Sequence, residues 1–350
     1  MLINRTIQIP VFLRIGHGLI GDLPGLLGEH NLHFQNALVV ASPRGKSLVG
    51  KPIMQALGVS DCLVVGDNTM ATVVAVRAEA RARRPDLIVG VGGGTALDVA
   101  KLVAAHERVC FLSVPTTPSH DGIASPVAVI RTSDRPESLP ARMPIGVIAD
   151  LDVLEQAPAE SVRAGLGDLI SNVSAIADWE LACRRKRDRM DDFARLLALA
   201  GADAVLQYAS AGGRPDPKDR DLIEILLNGL VLSGVAMEIA GSSRPCSGAE
   251  HLFSHALDRI AERPAMHGAQ VGLGTLLMSV LRDQDWPRLR DSMVRLGVPT
   301  RAEDVGVERQ EVIDSFVQAP RTRPERYTIL NEVTVTPEHA ELVARTAGVI

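Results

Sequence analysis

Two different hydrophobic patterns divide this 350-residue chain. In the first half, short β-branched and apolar runs alternate with helical stretches, and the runs cover residues 37–41, 62–65, 87–91, 109–114 and 145–149. This alternation is typical of βαβ units, in which crossover helices join parallel strands. Residues 47–57 and 70–83 are predicted crossover helices, and residues 127–130 with the polar 131–137 predict a hairpin arm. The first half is therefore expected to form a mostly parallel sheet.

The second half has apolar residues at helical spacing in long segments, namely residues 155–164, 166–183, 189–208, 222–240 and 268–281. It predicts an all-helical structure, with an exposed loop at 209–218, which is rich in glycine, proline and charge. Because a chain of this length exceeds the size at which one core keeps growing, we predict two domains, residues 1–152 and 153–350.

Composition restricts the class of protein. Hydrophobic residues make up 46% of the chain, charged residues 23%, and the net charge is -5. No basic field is expected to attract nucleic acid or an anionic membrane, so an anionic substrate must be caught locally. Residues 1–10 lack the long apolar segment of a signal peptide, and no window approaches about 18 uninterrupted apolar residues. We expect a cytoplasmic protein without membrane insertion, in which four scattered cysteines are reduced packing residues: Cys62, Cys110, Cys183 and Cys246.

A glycine-rich turn follows the apolar strand at residues 87–91. Gly92, Gly93 and Gly94 lead directly into a helical stretch that contains Asp98. Glycines let a backbone approach a pyrophosphate closely, and the amides at a helix start bind its charge. The spacing is neither that of the usual dinucleotide fingerprint nor that of a P-loop. A tight turn without a ligand is the alternative interpretation.

The next apolar run ends in VPTTPSHDGIASP, residues 114–126. Ligands of open α/β sheets bind at loops of this kind, at the carboxyl ends of parallel strands. Asp121 could bind a substrate hydroxyl, and the hydroxyls of Thr116, Thr117, Ser119 and Ser125 could line a cofactor. A proline-rich surface loop is the alternative.

Metal-binding residue types occur at three places in the second half. His251 and His255 are four residues apart in a helical pattern, so both project from one helix face. Asp168 and His267 must come from other helices. One carboxylate with two imidazoles suits a catalytic divalent ion, because three protein ligands leave positions open for substrate oxygens. Buried histidines that are hydrogen-bonded within a core are the alternative.

Taken together, these segments resemble the sn-glycerol-1-phosphate dehydrogenases, a family of the dehydroquinate synthase-like and iron-type alcohol dehydrogenase superfamily. The resemblance lies in VGVGGGTALDVAK, SVPTTPSHDGIASP, GLGDLISN, SGVAMEIAGSSRPCSGAEHLFSHALDRI and RPERYTILNE, which follow one another in family order. The resemblance implies a dehydroquinate synthase-like fold: an α/β N-terminal nucleotide-binding domain with a mostly parallel Rossmann-like sheet, and an all-α C-terminal domain that binds metal and substrate.

The resemblance also implies site residues. The metal ligands would be Asp168, His251 and His267, with Asp168 also touching substrate, and Asp121 and His255 would serve in substrate binding and catalysis. The cofactor contacts would be Gly92, Gly93, Gly94, Thr95, Ala96, Leu97, Asp98, Thr116, Thr117, Pro118, Ser119 and Ser125. The implied reaction is the reversible reduction of dihydroxyacetone phosphate to sn-glycerol 1-phosphate by NAD(H) or NADP(H). Zinc is the usual ion in the family, while nickel or iron also suits these donors.

Two departures from the family pattern affect these expectations. Thr95 stands where many members have lysine, which leaves the preference between NADH and NADPH open. Cys246 replaces a small residue and either adds a thiol to the pocket or packs. At the end of the strand at 37–41, Ser42 brings no acidic group to repel a 2′-phosphate, and Arg44 and Lys46 follow, so NADPH is not excluded.

Three other functions fit parts of the sequence: a glycerol dehydrogenase acting on unphosphorylated polyol, a dehydroquinate synthase-like cyclase, and a catalytically silent binding protein. The donors for a substrate phosphate are open between Ser243 with Arg244 and Arg323 with Arg326. The expected partner is a small phosphorylated substrate, and we expect a homo-oligomer.

Overall fold

The computed structural model describes residues 7–132, 135–212 and 216–350. The chain divides into two compact units, Met1–Pro158 and Ala159–Ile350. This division falls a few residues after the predicted boundary at 152, and the nucleotide-binding and metal-binding roles of the two domains stay predictions. Three of the sequence predictions lie partly outside the described residues, namely those for residues 1–10, 131–137 and 209–218.

Eight strands belong to the first unit: β1 Phe12–Gly16, β2 Ala37–Ala41, β3 Leu63–Val64, β4 Leu87–Gly92, β5 Cys110–Pro115, β6 Val127–Thr132, β7 Arg135–Pro140 and β8 Gly146–Asp150. Six of them form one parallel sheet in the order β1-β8-β5-β4-β2-β3. Strands β6 and β7 pair antiparallel in a separate hairpin. The predicted mostly parallel sheet is confirmed.

The helices of the first unit are α1 Leu23–Glu29, α2 Pro43–Gly45, α3 Lys51–Leu57, α4 Met70–Arg83, α5 Gly94–Glu107 and α6 Leu151–Leu154, with 3-10 turns at Leu19–Asp22 and Asp121–Ile123. The crossover predicted at residues 47–57 is not one regular helix. A π turn, Lys46–Gly50, connects α2 to α3. Pro52, at the start of α3, lacks the amide hydrogen that a continuous helix needs there.

Helices cover both faces of the sheet. On one face, Val89 and Val91 of β4 pack in a core with Leu23 of α1 and Ile53 of α3. Side chains alternate along a strand, so Gly90 points to the other face. A Cβ there would lie 3.0 Å from the Ala100 side chain of α5 and 3.3 Å from that of Leu97. The missing side chain therefore lets α5 pack directly on the strand that ends in the glycine turn.

The second unit contains α7 Ala159–Ile170, α8 Asn172–Arg184, α9 Asp192–Ser210, α10 Arg220–Ala240, α11 Ala249–Ile260, α12 His267–Leu281, α13 Trp286–Arg295, α14 Arg309–Gln318 and α15 Pro337–Thr346. Its 3-10 turns are Arg244–Cys246, Ala302–Val305, Ala319–Arg321 and Ile329–Asn331. The predicted all-helical second half is confirmed. Helix α10 is long and apolar enough to cross a membrane, but 67% of its most apolar window is buried inside the protein, as in a core helix.

The structure corrects three local predictions. The helix predicted at 155–164 starts only at Ala159, and the helix predicted at 166–183 is interrupted at Ser171, between α7 and α8. The Ser171 hydroxyl donates to the Asp168 carbonyl at 2.7 Å, a local bond that competes with regular helix. All four cysteines lie among the described residues and none forms a disulfide. Cys246 is buried in a core cluster, whereas Cys110 is exposed, so the prediction that all four pack is wrong for Cys110.

A buried ion pair anchors the loop after β5. Lys101 of α5 is fully buried and lies 3.4 Å from Asp98, which is 3% exposed. Its ammonium group donates to the carbonyls of Gly122 and Val127 at 2.6 and 2.7 Å. The second Asp98 oxygen accepts from the Val129 amide at 3.2 Å. Burial raises the pKa of Asp98 and lowers the pKa of Lys101, because desolvation penalises both charges. The pair thus holds the segment that carries Asp121.

Replacing Lys101 with methionine tests this anchor. Lys101→Met keeps the volume but leaves Asp98 charged and buried, so it should lower the free energy of unfolding by about 3–5 kcal/mol. Urea denaturation measures the loss, with Lys51→Met at an exposed position as control. Adding Asp98→Asn should recover about 1 kcal/mol or more, because it removes the uncompensated charge. A loss in Lys101→Met no larger than in the control would contradict the anchoring role.

Candidate metal centre and cofactor turn

The three predicted metal ligands converge from three helices of the second unit. Asp168 lies on α7, His251 on α11, and His267 is the first residue of α12. The Nε2 atoms of His251 and His267 lie 3.9 and 3.8 Å from the same Asp168 Oδ1 atom. The three ligand atoms are all within 4.8 Å of one another. Metal bonds to such atoms are about 2.0–2.2 Å long, so small side-chain rotations would let one ion bind all three.

Close packing of glycines brings these helices together. A Cβ on Gly268, the second residue of α12, would lie 1.8 Å from the Ala164 carbonyl oxygen of α7. A Cβ on Gly167 would lie 2.2 Å from the Gly268 carbonyl oxygen. On α12 a Cβ at Gly274 would lie 2.8 Å from the Glu250 carbonyl oxygen of α11. Helix α12 therefore contacts both neighbours backbone to backbone, which places His267 close to both Asp168 and His251.

Glu250 fixes the ring orientation of His251. The Glu250 carboxylate accepts from His251 Nδ1 at 2.9 Å, from the Gly248 amide at 2.5 Å and from the Ser174 hydroxyl at 2.6 Å. Glu250 is fully buried, and burial raises the pKa of its carboxyl, while the Ser174 hydroxyl and the Gly248 amide lower it in part. A carboxylate only accepts hydrogen bonds, so the His251 proton is on Nδ1 and the Nε2 lone pair points toward Asp168.

A chain of hydrogen bonds fixes His267 in the same tautomer. The Gln270 amide nitrogen donates to Asp258 Oδ1 at 3.0 Å and to the Ala265 carbonyl at 2.8 Å, so its oxygen is the acceptor. Ser254 donates its only hydroxyl proton to that oxygen at 2.7 Å. His267 Nδ1, 3.2 Å from the Ser254 oxygen, must therefore be the donor. Its Nε2 then carries the lone pair that a metal ion requires.

Burial favours the neutral form of two imidazoles, those of His251 and His255. Desolvation lowers the pKa of His251 well below its usual value, and the nearby His267, Arg326 and Arg323 lower it further. The pKa of His255 is lowered by burial first and by Arg323 next. The His255 ring stacks near His267, with centroids 6.5 Å apart and planes at 22°. Since neutral imidazole is the ligating form, the donor set fits a divalent ion.

The glycine turn in the first unit has the close approaches expected of a phosphate cradle. Gly92 has φ 153°, where any side chain is strained, and a Cβ would lie 2.7 Å from Ser42 Oγ. A Cβ on Gly93 would lie 2.8 Å from Thr117 Oγ1, and one on Gly94 would lie 2.0 Å from His120 Nε2. Gly94 starts α5, whose amides point at the turn. A side chain would therefore not fit at any of these three positions. The backbone amides at the start of α5 suit an anion, so the turn fits a dinucleotide pyrophosphate.

The predicted cofactor residues differ in exposure. Gly93, Gly94, Thr95 and Thr117 are partly exposed, and so is the predicted catalytic residue Asp121. The others are buried in this unit: Gly92, Ala96, Leu97, Asp98, Thr116, Pro118, Ser119 and Ser125. Asp98 is engaged by Lys101, and the Ser125 hydroxyl donates to the Val127 carbonyl at 3.2 Å. All of these assignments stay predictions, and the partly exposed set is the one a ligand can reach without rearrangement.

Sequence reasoning did not find the residues that orient the two histidines. Glu250, Ser254 and Gln270 each look like an ordinary residue of an amphipathic helix. One signal was available, because Glu250 directly precedes a predicted ligand in a mostly apolar segment. Cys246 lies within 3.5 Å of the Ser233 carbonyl in a core cluster, so it packs and does not add a thiol to the metal centre.

Known proteins are similar to this chain over nearly its full length. Residues 14–158 match the family model described as iron-containing alcohol dehydrogenase. Glycerol-1-phosphate dehydrogenase of Hyperthermus butylicus, named with NAD(P)+, is 40% identical over 349 residues, which cover 99% of each chain. The similarly named protein of Methanothermobacter thermautotrophicus is 40% identical over 353 residues, again 99% of each chain.

Solved structures share the fold at low identity. Glycerol dehydrogenase from Schizosaccharomyces pombe superposes with a TM-score of 0.75 at 21% identity, over 98% of this chain and 90% of that one. Sulfoacetaldehyde reductase from Bifidobacterium kashiwanohense, solved in complex with NAD+, gives a TM-score of 0.73 at 18% identity over 99% of both chains. The predicted dehydroquinate synthase-like fold is confirmed.

The role of Glu250 can be measured through metal binding. Glu250→Gln keeps the size of the side chain but replaces a charged acceptor of the His251 proton, so metal affinity should fall about 10- to 100-fold. The measurement is metal titration of stripped protein, with Glu224→Gln on an exposed face of α10 as the control. A glutamine cannot accept all three hydrogen bonds of the carboxylate, so thermal melting of the metal-free variant checks that it remains folded. Unchanged metal affinity would show that Glu250 has only a packing role.

Proposed function

This chain belongs to the glycerol-1-phosphate dehydrogenase family, and from that premise we propose that it catalyses the reversible NAD(P)H-dependent reduction of dihydroxyacetone phosphate to sn-glycerol 1-phosphate. The chain is an NAD(P)-dependent oxidoreductase. The observation that carries the proposal is the convergence of Asp168, His251 and His267 around one point, with both imidazole lone pairs turned inward.

We assign the metal ligands to Asp168, His251 and His267. A divalent ion bound there supplies Lewis acidity that stabilises negative charge developing on the substrate carbonyl oxygen. The protein holds both Nε2 atoms in the ligating tautomer before any ion binds, so binding needs little reorganisation. Zinc is the proposed ion, and nickel or iron would be accepted by the same donors.

We assign the pyrophosphate of the nicotinamide cofactor, which supplies the hydride, to the turn of Gly92, Gly93 and Gly94. The close approaches of Ser42, Thr117 and His120 to these glycines support this, because they place polar side-chain atoms beside the backbone amides at the start of α5. Ser42 lies beside Gly92, and its amide bonds the Val91 carbonyl at 2.9 Å. No acidic group follows β2 there, and Arg44 and Lys46 are exposed, so we expect both NADH and NADPH to be used.

The remaining predicted residues handle substrate oxygens and protons. His255 is a neutral imidazole next to the proposed ligands, so one ring nitrogen can donate to, and the other accept from, a substrate hydroxyl. Asp121, at the start of its 3-10 turn, is the proposed second substrate contact and proton-transfer group. Asp168 is expected to touch substrate as well as metal. A cytoplasmic location and a homo-oligomeric state stay predictions.

Removing one ligand tests the proposal. His251→Ala should lose bound metal and lower turnover of dihydroxyacetone phosphate at least about 100-fold, because the carbonyl is no longer polarised. Elemental analysis and a chiral assay of the reduced product are the measurements, with exposed His106→Ala as the control. The wild-type product should be the 1-phosphate enantiomer. Full activity in metal-stripped protein, or the opposite enantiomer, would reject the proposal.

A further inference from the structure

We propose that the first unit has a second binding site, at the amino ends of β1, β8 and β5, for a small amphiphilic anion such as an alkyl carboxylate. These three strands are neighbours in the sheet. The site lies at the edge opposite the glycine turn, which is at the carboxyl end of β4. The inference does not depend on the proposed reaction.

A cavity of about 400 Å³ lies at these strand ends. Its walls come from residues 7–9 before β1, the end of α5, the start of β5, and residues 142–145 before β8. The Ile145 amide donates to the Phe111 carbonyl, and the Val11 amide donates to the Ile145 carbonyl, each at 2.7 Å. The backbone therefore fixes these walls relative to one another. The volume is within the range of about 300–1,000 Å³ that is usual for small-molecule sites.

The buried part of the lining is apolar. It includes Ala104, Phe111, Met143 and Pro144. Ile7 and Ile9, on the exposed side of the cavity, leave 37% and 59% of their surface in water. Covering such surface with hydrocarbon is favourable, so an alkyl chain suits the cavity.

Two arginines give the same cavity a positive rim. Arg108 and Arg142 line it and are exposed. Among the residues that the structure describes, neither guanidinium makes an ion pair or a side-chain hydrogen bond. Two acidic residues close to the rim are engaged elsewhere, because Asp86 accepts from the amides of residues 35 and 36 and Glu107 pairs with two arginines of α4.

Together the two parts of the lining identify the class of ligand. An inorganic anion would leave the apolar wall in water, and a neutral chain would leave both arginines without a partner. A molecule with an alkyl chain and one anionic head satisfies both parts.

The Cys110 thiol reports on this place. It lines the cavity and is exposed. Burial raises the pKa of the thiol, Asp86 raises it further and Arg142 lowers it, so the guanidinium charge lies close to the sulfur. Cys62 and Cys183 are partly exposed free thiols outside the lining, and they serve as internal references.

Protection of Cys110 from alkylation tests the site. Near saturation, octanoate should slow the reaction of iodoacetamide with Cys110 at least about fivefold and leave Cys62 and Cys183 unchanged. Peptide mass spectrometry at mildly alkaline pH measures each thiol. Acetate and octanol should protect less, because each satisfies only one part of the site. Hexanoate should bind about tenfold more weakly than octanoate, the loss expected for two buried methylenes.

Variants separate the two parts of the site. In calorimetry, Arg142→Gln should weaken octanoate binding about 3- to 10-fold, the loss expected for one exposed charge-assisted contact. Arg288→Gln, at an exposed arginine of the second unit, is the matched control. Ala105→Leu fills the cavity without a change of charge and should weaken binding as well.

Four results would overturn the inference. The first is equal protection of all three thiols, and the second is protection of Cys110 by acetate as strong as by octanoate. Protection that rises with protein concentration alone would show that a second copy of the chain covers the cavity. Protection by anionic lipid vesicles but not by octanoate would show a membrane contact instead. None of these measurements uses the enzymatic reaction, so this site and the proposed function can fail separately.

Discussion

The metal centre depends on where two protons are held. An imidazole presents a lone pair at Nε2 only while its other nitrogen carries the proton, and each ligating histidine here has a buried acceptor for that proton. For His251 the acceptor is a carboxylate, and for His267 it is a hydroxyl whose own proton is taken by Gln270. The two acceptors differ in charge, so the carboxylate should hold its histidine proton more strongly than the hydroxyl does.

Correct tautomers are not sufficient for metal binding, because helix packing must also bring the three proposed ligands close to one another. The contacts of Gly167, Gly268 and Gly274 bring α7, α11 and α12 to backbone distance, and the ligands lie at or next to these contacts. Asp168 follows Gly167 directly, and Gly268 follows His267 directly. The residues that make the helices touch and the proposed metal ligands are thus neighbours in sequence, so a change in packing would move a proposed ligand.

Much of the fold could be predicted because buried parallel strands are continuous apolar runs. Strands β2, β4, β5 and β8 were predicted within a residue or two. Strand β1 was not, since it lies at the sheet edge, pairs only with β8 and exposes Leu13 and Arg14. The break at Ser171 was also missed, because apolar periodicity continues across it. Both failures come from tertiary context, which a local pattern does not contain.

The sequence indicated the proposed metal ligands, but not the roles of the residues that surround them. Asp168, His251 and His267 were predicted as ligands because their residue types are uncommon in apolar helices, and the structure brings the three side chains together. Glu250 and Ser254 act by hydrogen bonding to the two histidines. The spacing of residues in the sequence does not reveal such bonds. For the arginines, the residue types were visible but the roles were not, because ion pairing and anion binding need the same side chain. The structure pairs Arg244 with Asp188, and the donors for a substrate phosphate stay a prediction.

The chain as a whole is acidic, whereas the proposed metal centre would be locally cationic. A net charge of -5 does not attract an anion over long range. A divalent ion at the proposed ligands would give a local positive charge, which Arg323 and Arg326 add to and which Asp168, Glu250 and Glu325 offset in part. Glu250 is buried and bonded to His251 Nδ1, on the opposite side of the ring from the proposed ligating nitrogen. An anionic substrate would then be attracted at short range, by the ion and the groups around it, and not by the charge of the whole chain.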